Sequence, residues 1–89
     1  MAAYDITAHA ARMMKRRGIS EELVRSALSS PGQVLEVSAG RKVFQSRIRK
    51  SPGEREHVLR VFVDASHDPP KVITVYWTSK VSKYWREET

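Results

Sequence analysis

The stretch RKVFQSRIRKSPGEREHVLRVFVD, residues 41–64, holds two runs of alternating character separated by a turn. In residues 41–50, Phe44 and Ile48 share one side with Lys42, while Arg41, Arg47 and Arg49 share the other with Val43 and Gln45. Ser51-Pro52-Gly53-Glu54 is a turn by composition. In residues 57–64, Leu59, Val61 and Val63 point one way and Val58, Arg60 and Phe62 the other. Two half-apolar strands joined by a short turn predict an antiparallel pair with one buried face.

The pattern extends on both sides. Val72 to Trp77 is apolar on both faces, so it is expected to be central or well covered. Asp68, Pro69 and Pro70 separate it from the preceding strand. Val34 to Val37 is a short apolar strand, set off from Arg41 by an Ala39-Gly40 turn. Short turns make all four strands an antiparallel meander.

Upstream the periodicity changes to that of helices. Thr7 is a plausible N-cap and Gly18 a terminator for a helix over residues 7–17. Ala10, Met13 and Met14 form its apolar arc, with His9, Arg12 and Arg16 in a row beside it. Ser20-Glu21-Glu22 opens a second helix, because acids in the first turn suit the positive end of the helix dipole. Its apolar face is Leu23, Val24, Ala27 and Leu28, and Ser29 to Gly32 end it. In the tail, Ser79 would cap a short helix with Val81, Tyr84 and Trp85 inward, an extended tail being the alternative. The expected fold is α+β: two N-terminal helices packed on a four-stranded antiparallel sheet, in the order ααββββ.

Eighty-nine residues make one domain, 1–89, with a thin core. The absence of cysteine excludes disulfides and thiolate chemistry. Apolar runs are too short to span a bilayer and no signal peptide is visible, so a cytoplasmic protein is expected. The net charge is +6, from sixteen Lys and Arg against ten Asp and Glu. Residues 31–60 carry seven cationic and three acidic groups, so the excess sits in the middle of the chain. A basic surface on a small domain suits a polyanion, most often nucleic acid. Solubility alone is the plainer explanation.

No phosphate-cradling glycine loop, nucleophile elbow or zinc-protease helix is present. Single candidates remain. His9 can move protons near neutral pH, and Arg12 and Arg16 can hold phosphate. Against this, the plainer reading is a structural histidine and a solvated helix face, since an isolated histidine more often plays a structural part. Arg41, Arg47 and Arg49 line one strand face and suit a phosphate backbone if that face stays open. Lys80, Lys83, Tyr84 and Trp85 mix cations with rings on which bases stack. The competing reading has the two aromatics anchoring the tail to the core. His57, His67, Asp64 and Asp68 match no recognised ligand spacing, so no metal is expected.

Two runs resemble a small bacterial family catalogued as a domain of unknown function. The first is Thr7-Ala8-His9-Ala10-Ala11-Arg12-Met13 with Arg16-Arg17-Gly18-Ile19-Ser20. The second is Val72-Ile73-Thr74-Val75-Tyr76 with Thr78-Ser79-Lys80 and Lys83-Tyr84-Trp85. That family is similar in size and element order to the RelE/BrnT-like toxins of bacterial toxin–antitoxin pairs. Those toxins are cofactor-free ribonucleases that cleave messenger RNA, often on the ribosome. The resemblance implies a RelE-like fold and a metal-independent endoribonuclease, with Arg47, Arg49 and Arg60 as phosphate clamps and Tyr84 or His9 moving the proton. It also implies RNA as partner, in a ribosomal setting, and an acidic antitoxin-like protein as a second one. The alternatives are a non-catalytic RNA- or protein-binding module, or an interaction domain for an acidic partner.

Overall fold

The computed structural model describes residues 4–49 and 51–86. The expected strand end at Lys50 and the last three tail residues, Glu87 to Thr89, lie outside the described residues. The order is β1 (Asp5–Ile6), α1 (Ala8–Arg17), α2 (Glu21–Ser29), β2 (Gln33–Ser38), β3 (Arg41–Ile48), β4 (His57–Asp64), β5 (Lys71–Thr78) and α3 (Val81–Tyr84).

The four-stranded antiparallel expectation is corrected by one strand and one direction. The sheet has five strands in the order β1-β5-β4-β3-β2, and β1 runs parallel to β5. The arrangement is therefore a mixed sheet with three helices, not ααββββ. The reason is local. β5 is apolar on both faces but is the last strand of the meander, so its outer edge needs a partner. Asp5 and Ile6, just ahead of α1, supply it opposite Lys71 and Val72. A two-residue strand is too short to show a period of two.

Both helices start and stop where their caps allow. The Thr7 hydroxyl accepts from the Ala10 N–H at 3.1 Å and donates to the Val72 carbonyl at 2.9 Å, tying the start of α1 to β5. Gly18 ends α1 at φ 66°, a left-handed conformation that glycine adopts without steric cost. The Ser20 hydroxyl accepts from the Leu23 N–H and opens α2. In the tail, α3 is one turn, its N-cap position is Lys80 rather than Ser79, and no side chain caps it.

The helices cover the side of the sheet that carries Phe44, Ile48, Leu59, Val61, Val63, Val72, Val75 and Trp77. Ala10, Met14, Ile19, Val24, Ala27 and Leu28 pack onto it. α1 lies against β5, and α2 against β3 and β4. The register sets Phe44 opposite Val61 and Val61 opposite Val75, so one apolar row crosses three strands. The second face, carrying Arg47, Gln45, Arg60 and Tyr76, is left to the C-terminal segment.

Candidate functional site

Register builds the site on that second face. Gln33 of β2 stands opposite Gln45 of β3, Gln45 opposite Arg60 of β4, and Arg60 opposite Tyr76 of β5. Directly opposed residues of an antiparallel sheet project to the same side. The four side chains therefore form one row across the sheet, and they are hydrogen-bonded end to end. Gln45 Nε2 donates to Gln33 Oε1 at 3.0 Å. Arg60 Nε donates to Gln45 Oε1 at 2.6 Å, and Arg60 Nη1 donates to the Tyr76 hydroxyl at 2.6 Å. Because the Tyr76 oxygen accepts from the guanidinium, its own proton remains to be donated.

The C-terminal segment closes over this row. Gln45 Nε2 also donates to the Tyr84 carbonyl at 3.1 Å. The Gln33 carboxamide takes both main-chain groups of Arg86, accepting from its N–H and donating to its carbonyl. Tyr84 lays its ring on the guanidinium of Arg60, with the ring centre 4.5 Å from the guanidinium carbon. Phe62 and Tyr76 stand on the other sides of the same cation, at 5.2 and 5.7 Å, and stack on each other at 6.0 Å. Trp85 sits against Gly32, and Arg47 lies over its ring at 5.4 Å. Arg60 is thus a half-buried cation, fixed by two hydrogen bonds and enclosed by three aromatic rings.

The other candidates fall into two groups. Arg47 lies near the row, paired with Glu56 at 2.6 Å. Lys83 places its ammonium 5.3 Å from the Tyr84 ring centre, and Lys80 is exposed at the head of α3. Arg49 lies beyond the strand end and donates to the Glu54 carbonyl at 2.7 Å. Arg41 stands opposite Asp64 at the far end of β3. The expected row of Arg41, Arg47 and Arg49 is therefore spread along the strand, with Arg47 held by the Glu56 carboxylate and Arg49 by a main-chain carbonyl.

His9, Arg12 and Arg16 form the second group. They are exposed on α1, one helical row apart from the core stripe. Helix α1 packs on the opposite side of the sheet from Arg60. The structure does not bring His9 together with Tyr84 or Arg60.

Around the β4–β5 turn, the Asp64 carboxylate accepts from the hydroxyl and N–H of Ser66 and lies 3.6 Å from His67 Nε2. The Ser66 hydroxyl and amide, helped by His67 and Arg41, hold its pKa below the ordinary 3.8. His57 Nδ1 is bonded to the Arg55 carbonyl. Among the described residues, no three His, Cys, Asp or Glu side chains converge as metal ligands. No helix among them is long and apolar enough to cross a membrane.

Nothing in the sequence alone marks Tyr76 or Gln45 as part of a site. The signal that finds them is the pairing of Gln45 with Arg60, which depends on a register that composition does not give.

The caps at Thr7 and Gly18, the α1 row and all of β5 but its last residue fall within residues 6–77. That span matches the family described as domain of unknown function DUF4258. The chain belongs to this family. The DUF4258 match runs from Ile6, the second residue of β1, to Trp77 of β5, so it takes in Gln33, Gln45, Arg60 and Tyr76, while Tyr84 and Trp85 lie beyond it. No curated protein and no solved structure matches the chain.

Proposed function

We propose that this DUF4258 protein is a metal-independent endoribonuclease of the RelE/BrnT-like toxin kind, working from the second face of its sheet. The observation that carries the reading is the fixed guanidinium of Arg60, hydrogen-bonded to one phenol and stacked under another. Cleavage of RNA without metal requires three things. The 2′-hydroxyl loses its proton to a base as the 2′-oxygen bonds to phosphorus. The developing charge on the phosphorane is stabilised by cations. The bond from phosphorus to the 5′-oxygen then breaks, and that oxygen takes up a proton. Arg60 is the cation, with Arg47, Lys80 and Lys83 at the margin for flanking phosphates. Tyr84 and Tyr76 are the proton-transfer groups beside it. His9 has no part in this step, because it stands on the far side of the sheet.

The test is cleavage of a single-stranded RNA in the presence of a chelator. The products should carry 2′,3′-cyclic phosphate and 5′-hydroxyl ends. Arg60→Ala and Tyr84→Phe should each slow cleavage by roughly 10²-fold or more, and His9→Ala should leave it unchanged. Inducing the wild-type gene should arrest bacterial growth, and Tyr84→Phe should relieve the arrest. Intact RNA and normal growth, with folded protein present, overturn the ribonuclease reading.

One observation favours the runner-up, a non-catalytic RNA-binding module. Two of the donors of Arg60 are already engaged within the protein. In that case RNA affinity falls steeply with salt as bound phosphates release counterions, and no cleavage products form.

A further inference from the structure

We propose that Gln45 is a positioning residue, whose one buried carboxamide sets both the Arg60 guanidinium and the C-terminal segment carrying Tyr84 without neutralising the cation. The inference rests on the reading of this face as a phosphate-binding surface, and it adds to that reading how the surface keeps its charge.

Gln45 is withdrawn completely from solvent, the one polar side chain in that state among the described residues. Burying an amide is unfavourable unless its hydrogen bonds are made. Every bond that matters is made here, and each goes to a part of the site. The oxygen only accepts, so it takes Arg60 Nε–H. The nitrogen has two hydrogens, and these go to Gln33 Oε1 and to the Tyr84 carbonyl. Gln33 in turn holds Arg86 by its main-chain N–H and carbonyl. A single planar group therefore links four strands' worth of side chains to the tail, and rotating it would break all three bonds at once.

The chemical identity of the acceptor matters as much as its place. Arginines buried beside a strand are usually matched by carboxylates, and the neighbouring Arg47 is indeed paired with Glu56. Arg60 is instead held by a neutral amide and a neutral phenol. Its orientation is fixed and its positive charge is not cancelled. That is the combination needed by a group that must meet a phosphate: a carboxylate in the same place would position it equally well and compete with the substrate anion.

Two substitutions separate the parts of the claim. Gln45→Glu keeps the acceptor for Arg60, adds a negative charge, and loses both donations to Gln33 and Tyr84. Gln45→Met keeps the volume and loses every bond. The Arg60 Nε–H resonance in a nitrogen–proton spectrum reads the guanidinium, and trypsin cleavage after Lys83 reads the seating of the tail. Wild-type protein should show a slowly exchanging Arg60 Nε–H and a protected Lys83. Gln45→Glu should keep the first, lose the second, and weaken affinity for a single-stranded RNA at least tenfold. Gln45→Met should lose both signals and lower kcat at least tenfold with a smaller change in KM. If Gln45→Met does not fold, Gln45→Glu decides alone. An unchanged Arg60 resonance in Gln45→Met, or a protected Lys83 in Gln45→Glu, overturns the positioning role whatever RNA does. Undiminished RNA affinity in Gln45→Glu overturns the argument from the neutral acceptor. If wild-type protein binds no RNA even at low salt, the phosphate-surface reading falls, while the two structural signals still decide whether Gln45 positions Arg60.

Discussion

Replacing Gly32 by alanine tests the docking of the C-terminal segment through Trp85 rather than through the Gln45 side chain. A Cβ built on Gly32 would lie 2.5 Å from Trp85 Cη2 and 3.3 Å from the Gln45 carbonyl oxygen. Carbon atoms in good contact sit about 3.5–4.0 Å apart, so the ring must retreat by roughly 1 Å or more. Trp85 has two ways to do so. It can tilt within its place, at the ~1–3 kcal/mol typical of overpacking. Alternatively, the segment can lift, which forfeits the Gln33 clasp on Arg86, the Gln45 bond to Tyr84 and the ring contacts to Arg47 and Arg60. Three hydrogen bonds at roughly 1 kcal/mol each put the second route at about 3 kcal/mol, near the top of the first range. Gly32→Ala should therefore destabilise the protein by about 1–3 kcal/mol, and lower Tm by roughly 4–8 °C per kcal/mol for a domain of this size. The assay is urea unfolding of four proteins: wild type, Gly32→Ala, Trp85→Leu and the double variant. Gly32 lies outside the left-handed region, so alanine is compatible with its backbone. Once the indole is gone, the same alanine should be neutral, or stabilising by up to about 1 kcal/mol through the unfolded chain. An equal loss in both backgrounds would refute the reasoning, because the cost would then not come from Trp85.

Two further outcomes follow from the caps and the β4–β5 turn. Thr7→Val removes the acceptor for the Ala10 N–H and the donor to the Val72 carbonyl, so it should cost about 1–2 kcal/mol and speed amide exchange at Ala10. A change under about 0.5 kcal/mol, the range of a featureless surface site, would contradict the double role of Thr7. Asp64 has its pKa held below the ordinary 3.8, chiefly by the Ser66 hydroxyl. Its contribution to the folded turn is therefore present above 3.8 and is lost as pH falls through the lowered native value. A carbon-detected titration of the Asp64 carboxyl should show the depressed midpoint, and Ser66→Ala should move it upward; a midpoint at or above 3.8 in the native protein would refute the assignment.

Much of the frame can be read from local chemistry. Thr7, Gly18 and Ser20 mark helix ends because side-chain acceptors and left-handed glycine act within a turn of their own position. The alternation in residues 57–64 predicts which residues of β4 point together, and Leu59, Val61 and Val63 do share the helix-covered side. Strand β1 is not legible, since Asp5 and Ile6 owe their pairing to an edge of β5 some 66 residues away in the chain. The one-turn α3 falls at tail residues whose sequence admits a short helix, with an extended segment as the alternative.

The site is less legible than the fold, and the reason lies in the turns. Ala39-Gly40 joins β2 to β3 with Ser38 paired to Arg41, so the turn itself sets that register, apart from the bulge at Val37. The connection from β3 to β4 spans residues 49–56, and a loop of that length leaves the register to side-chain packing. Only that packing places Gln45 opposite Arg60 rather than beside an apolar residue. A glutamine in an alternating strand reads as a solvent-facing position. It becomes a buried one here because the tail, 39 residues further along, brings the Tyr84 carbonyl onto it. The arginines counted from composition are equally transformed by context. Arg47 is drawn to the Glu56 carboxylate and Arg49 to the main-chain carbonyl of Glu54, whereas Arg60, which stands among apolar residues in the sequence, is held by the Gln45 carboxamide and the Tyr76 hydroxyl. Net charge therefore does not say which cations the fold leaves without a carboxylate partner: for Arg60 that is decided by register and by the tail.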